Sequence, residues 1–135
     1  MTRTRTRTRS ALALGLAVIA TAATTAAAAP ASAGDDDVIR TGGCSGSTDW
    51  KLKAGPDDGR LEVELEIDSN RRGQRWTWRI TDNGALVARG ASVTAGPSGS
   101  FDVERRTANR PGVDTVRARA TNAATGETCV GSLRL

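Results

Sequence analysis

The chain has 135 residues, of which 19 are basic and 15 acidic, with two cysteines and no histidine. The absence of histidine excludes Ser-His-Asp and Cys-His catalytic arrangements as well as histidine metal sites. Four of the basic residues precede residue 34 and every acidic residue follows it, so residues 34–135 carry 15 of each and lack the basic excess that nucleic-acid binding requires.

The N-terminal residues 1–33 have the three parts of a secretory signal peptide. Four arginines alternate with threonine in MTRTRTRTRS, a short apolar run ALALGLAVIA follows, and Ala31-Ser32-Ala33 supplies an A-x-A cleavage site. A membrane anchor is the alternative, but the apolar run is too short and too interrupted by threonine to favour a span. We therefore predict a secreted, extracellular protein, with association to the cell wall as a further option.

The rest of the chain divides into a lead-in and one domain. Residues 34–46, which begin GDDD and contain Gly42-Gly43, predict a flexible lead-in, and residues 47–135 predict a single domain. Within that domain apolar residues alternate with polar ones in seven short runs, separated by turn signals such as PDDG and DNG. The runs are 48–54, 60–68, 75–81, a fourth that includes 86–90, then 101–106, 115–121 and 128–134.

Seven short alternating strands without a helical period predict an all-β fold. The spacing favours an antiparallel immunoglobulin- or fibronectin-III-like β-sandwich, with a small closed β-barrel as the alternative. In the sandwich the first, second and fifth runs share one sheet, and the other four share the second sheet. Trp76 and Trp78 fall at inward positions and are predicted to belong to the core.

Two hairpins have a predicted register. Leu52 is expected opposite Val63, which pairs lysines of the first run with glutamates of the second. The DNG turn is expected to be a three-residue loop with Gly84 left-handed, which directs Leu86 inward.

The two cysteines, Cys44 and Cys129, predict a disulfide, because an even pair in an exported chain is normally oxidised. The bond closes a loop of 85 residues. In a domain of this size it would supply a large part of the net stability.

The alternation places opposite charges on the two exteriors. The first sheet is expected to carry an acidic face with two lysines, namely Lys51, Lys53, Glu62, Glu64, Glu66, Asp102 and Glu104. The second is expected to carry the arginine face, which we define as Arg75, Arg79, Arg89, Arg117 and Arg119. Arginine offers bidentate donors to phosphate or carboxylate, so this face is a candidate anion-binding surface. Alternatively the arginines only keep the sheet soluble, as the ratio of 17 Arg to 2 Lys would allow.

These features favour a non-enzymatic exported binding module. The partner would be an extracellular macromolecule, either an anionic polymer or a protein, and we expect a monomer without cofactor, metal or nucleic acid. A small-ligand carrier or an inhibitor of an extracellular enzyme, binding through the loops SNRRGQ, AGPSGS and NRPGVD, is the alternative. An enzyme is disfavoured because the carboxylates, such as those of Asp57 and Asp58, fall on exposed turns and strands.

The segments PDDGRLEVELEIDSN, TDNGALV and TNAATGETCVGS, with the cysteine spacing, resemble small exported proteins of actinobacteria. The resemblance implies an exported Ig-like sandwich and brings no activity with it. In size and predicted fold the chain is also similar to the apoproteins that carry enediyne chromophores, although those have two disulfides and a ligand cleft.

Overall fold

A computed structural model describes residues 36–135, and the predicted signal peptide therefore lies outside the described residues. Within these residues eight strands form, with the bounds β1 Val38–Gly43, β2 Asp49–Asp57, β3 Arg60–Asp68, β4 Arg75–Asp82, β5 Ala85–Val93, β6 Ser100–Ala108, β7 Thr115–Asn122 and β8 Thr128–Arg134. They make two four-stranded antiparallel sheets, ordered β1-β2-β3-β6 and β5-β4-β7-β8.

The sandwich prediction is confirmed, including which of the seven predicted runs share a sheet. Within residues 36–135 no strand pairing joins the two sheets, so the closed-barrel alternative is wrong. Inward positions of both sheets form one core, in which Leu52, Val63, Ile67, Trp76 and Ile80 are fully buried. Burial of one face of each strand produces the alternation seen in the sequence.

Within the predicted flexible lead-in of residues 34–46, Val38–Gly43 instead form β1, which pairs along its length with β2. Val38 packs against the core from this edge. Gly42 permits the pairing, since a Cβ there would lie 2.7 Å from the Trp50 indole. A Cβ on Gly131 of β8 would also lie 2.7 Å from the same ring, so Trp50 fills the space between the two sheets on this side.

The predicted register of the first hairpin is wrong by two residues. Leu52 pairs with Leu65 instead of Val63, because the loop contains only Asp58 and Gly59, both with positive φ. A two-residue turn of this type matches the twist of the flanking strands. The shift is even, so each side chain keeps its predicted face.

The second hairpin also closes through two residues, Asn83 and Gly84, instead of the predicted three. A bulge between Ile80 and Thr81 then returns the later residues of β5 to the faces predicted for them. Leu86, expected inside, pairs with outward Thr81 and is 48% exposed. Gly90 instead covers Trp78, and a Cβ on Gly90 would lie 2.7 Å from that indole.

Cys44 and Cys129 form the predicted disulfide, with Cα atoms 4.2 Å apart. The bond joins the residue after β1 to β8 and so links the two sheets beside Trp50. Backbone contacts continue the link, since Ser45 N donates to Thr128 O at 2.9 Å.

Candidate functional site

The arginine face is the outer surface of the second sheet. β4 supplies Arg75 and Arg79, β5 supplies Arg89, and β7 supplies Arg117 and Arg119. All five side chains are exposed, and those of β4 and β7 alternate with buried neighbours such as Trp76 or Ala118. The structure thus brings together every residue of the predicted arginine face, and Arg134 of β8 lies exposed at its far edge.

Three of these arginines form a row across adjacent strands. Arg79 pairs directly with Arg89 on one side and with Arg119 on the other. Strands in a sheet lie about 4.8 Å apart, so the row places three positive side chains within about 10 Å. Like charges directly opposite each other destabilise a sheet. Between residues 36 and 135, no ion pair involves any residue of the arginine face.

The acidic face of the first sheet is organised differently, because its cations are matched to carboxylates. Lys51 lies 3.4 Å from Glu64 and also contacts Glu66, and Lys53 lies 3.5 Å from Glu64. The carboxylates raise the pKa of Lys51, chiefly through the hydrogen bond with Glu66. Arg106 bonds Glu62 on the same face, with Nη2 and Oε2 3.1 Å apart. Within residues 36–135, ion pairs therefore occur on the acidic face and involve none of the five arginines of the arginine face.

A shallow depression of about 530 Å³ lies on the arginine face. Arg75, Arg79, Arg89 and Arg119 contribute to its lining, together with residues that were not predicted to belong to this face: Thr77, Trp78, Gly90, Ala91 and Thr121. Guanidinium and hydroxyl groups are hydrogen-bond donors suited to phosphate or carboxylate oxygens. Arg117, one row further along the strands, lies outside this lining and extends the positive surface.

Trp78 links the depression to the edge of the sandwich. Its Nε1 donates to Ser92 Oγ at 3.0 Å, and the Arg105 guanidinium lies 5.0 Å from its ring centroid. A cation at this distance is attracted by the ring. The indole is thereby fixed beneath Gly90, only 5% exposed, and supports the floor of the depression.

The loops predicted as an alternative binding end do not meet at one place. SNRRGQ and AGPSGS are adjacent, since Ser69 N donates to Gly99 O at 3.1 Å. NRPGVD lies at the other end of the strands, where Asp114 Oδ1 accepts from Asn83 Nδ2 at 3.1 Å. A 390 Å³ depression near the first two loops is lined by Ser45, Gly46, Ser47, Thr48, Ser69, Arg71, Gln74, Thr125, Gly126 and Glu127. This polar lining is unlike the mostly apolar pockets that hold small ligands.

Two buried carboxyl groups at the NRPGVD end were not anticipated. Asp82 and Asp114 are each only 4% exposed, at inward positions where β4 ends and β7 is about to begin. Burial raises the pKa of Asp82, the charge of Asp114 adds to the rise, and Arg110 opposes it. An aspartate at the end of a strand looks like a turn residue in the sequence. The alternation of apolar and polar residues therefore did not predict that these two side chains are buried. By contrast, the exposed position expected of Asp58 is observed.

Across residues 36–135, no cluster of three or more His, Cys, Asp or Glu side chains is arranged to hold a metal ion. The described part of the chain also contains no helix long and apolar enough to cross a membrane. No family model matches the chain, and no curated protein or solved structure is significantly similar to it.

Proposed function

We propose that the protein is a non-enzymatic exported binding module whose arginine face holds an anionic extracellular partner. The observation that carries the proposal is the unpaired row Arg89-Arg79-Arg119. A sheet gains nothing in stability from three cations placed directly opposite one another. On the other exterior the same chain pairs its lysines with glutamates, so composition alone does not account for the row.

The chemistry of the depression supports the same partner class. Planar guanidinium groups bind carboxylate or phosphate through two parallel hydrogen bonds, and several such groups in a grid suit a partner with repeated negative charges. Export is part of the proposal. It is supported by the N-terminal signal pattern and the resemblance to exported actinobacterial proteins, and the disulfide is compatible with an extracellular location.

Retention on immobilised poly-L-glutamate and inorganic polyphosphate, at low and at high salt, tests the proposal. The test variant replaces Arg79, Arg89, Arg117 and Arg119 with glutamine. Its matched control makes the same four-charge change at exposed arginines elsewhere: Arg40, Arg71, Arg72 and Arg110.

We expect salt-sensitive retention of the unchanged protein and the control, and loss of retention in the test variant. Equal loss in both variants would show that only total charge matters and would refute a dedicated face. If the unchanged protein is retained on neither polymer at low salt, the proposal itself is refuted.

A further inference from the structure

We propose that β5 is an acceptor for an added strand, and that the anionic partner presents an extended acidic polypeptide segment to it. The inference rests on the proposed function, because Arg89 of the arginine face lies at the middle of β5. An extended peptide added to an exposed sheet edge gains main-chain hydrogen bonds, and its alternate side chains give specificity.

β5 is an open edge with little of the usual protection. It pairs with β4 on one side only and runs for nine residues, with no proline, no lysine and a single charge. Edge strands are normally protected by prolines, charges, bulges or short length. β5 carries one bulge, at Val87 near its start, and the segment from Ala88 to Val93 pairs regularly beyond it.

The other three edges are better protected. β1 has only six residues. β6 presents Glu104, Arg105 and Arg106, of which Arg106 forms ion pairs with carboxylates of the first sheet. β8 is held by the disulfide at Cys129, and its first residue is covered by Ser45, whose N donates to Thr128 O at 2.9 Å. The exposed edge of the arginine face is therefore β5.

The outward side chains of β5 define what an added strand must carry. Leu86 and Val93, at the two ends, are 48% and 52% exposed, and Arg89 lies between them. Gly90 is exposed and leaves the backbone open to close approach. In an antiparallel partner strand, the residue opposite Val93 precedes the residue opposite Arg89 by four positions. The complementary segment therefore reads apolar-x-x-x-acidic from its N-terminus.

A second copy of this chain is a poor occupant of the same edge. Arg89 is the central residue of β5, so two-fold antiparallel pairing of two β5 strands over their full length would set Arg89 opposite its own copy. The row of three arginines would then become a row of six across the joined sheets. Like charges opposite one another oppose this pairing, whereas an acidic residue at the same place relieves the repulsion within the row.

The test uses the full chain and a short threonine- and serine-based peptide with one valine four positions before one glutamate. Amide hydrogen exchange followed by NMR gives the site, and a titration gives the dissociation constant. Two control peptides each differ from this one by a single change. In one the glutamate is replaced by glutamine, and in the other alternate backbone amides are N-methylated. Two protein variants are Arg89→Glu and, as a control on the same face at the opposite edge, Arg134→Glu.

We expect the glutamate peptide to protect amides within β5 and to bind the Arg134→Glu variant with unchanged affinity. Arg89→Glu should weaken binding about tenfold, since a repulsion of similar size replaces the attraction of an exposed ion pair. N-methylation should abolish binding, because it removes the donors that form the ladder.

Equal binding of the N-methylated peptide, protection at another edge, or a dimer joined through β5 would overturn strand addition. If no peptide binds while retention on polyphosphate persists, strand addition is refuted and the proposed function stands. Loss of both would refute both.

Discussion

Replacing Arg79 with glutamine should stabilise the protein, although the side chain belongs to the proposed binding face. Arg79 is the only member of the row with an arginine on both sides, Arg89 and Arg119. Each like-charged cross-strand pair costs about 0.2–1 kcal/mol, so removing both should raise the free energy of unfolding by about 0.4–2 kcal/mol at low ionic strength. The exposure of Arg79 favours the lower part of that range.

The gain in the free energy of unfolding should depend on how many arginines face the replaced one, and urea denaturation can measure it. Arg119 lies between Arg79 and Val130, so Arg119→Gln should give about half the gain. Arg134 faces Thr115, and Arg134→Gln should leave stability unchanged. In 1 M salt the Debye length falls to about 3 Å, and the differences should largely vanish.

At low salt, a lower free energy of unfolding in Arg79→Gln, or a gain no larger than that of Arg134→Gln, would refute repulsion among the three arginines of the row. If the row serves binding, replacing its arginines should raise stability and lower retention on the anionic polymers. If the row only solubilises the sheet, retention should not depend on it.

Removal of the disulfide, by Cys44→Ala with Cys129→Ala, should lower the free energy of unfolding by about 4.5 kcal/mol, from the closed loop of 85 residues; equal denaturation midpoints would contradict this. Asp82→Asn should raise stability at pH 7, because a carboxyl whose pKa is raised on folding loses stability as pH rises through that value. Unfolding measured from pH 3 to 8 should be less pH-dependent in the variant, and an unchanged profile would refute the assignment. Gly90→Ala should cost about 1–3 kcal/mol in thermal unfolding, since its Cβ would press on the Trp78 ring; no loss would show that the ring moves freely.

The division of strands between the sheets could be predicted because it follows from alternation and strand count alone. An even error of register, such as Leu52 against Leu65 rather than Val63, leaves every side chain on the same face. The arginine face therefore emerged from sequence despite two wrongly predicted turns. At the second turn the bulge after Ile80 kept Arg89 outside, and nothing in the local sequence marks that bulge.

Features that depend on contacts between distant segments could not be predicted. β1 was missed because its six residues follow an acidic, glycine-flanked run and are held mainly by pairing with β2. The fit of Gly42 and Gly131 around Trp50 joins three separate strands and leaves no periodic signal. The depression beside Trp78 depends likewise on Gly90 and Thr121, which lie on different strands.

The arginine side-chain signals test most directly whether one exterior of the sandwich binds anions. Titration of the protein with inorganic polyphosphate, followed through the arginine Nε–H resonances, reports each guanidinium separately. We predict saturable shifts for Arg75, Arg79, Arg89, Arg117 and Arg119, and little change for Arg40, Arg71, Arg72 and Arg110. Uniform shifts over both groups, or shifts confined to the second, would contradict an anion-binding arginine face.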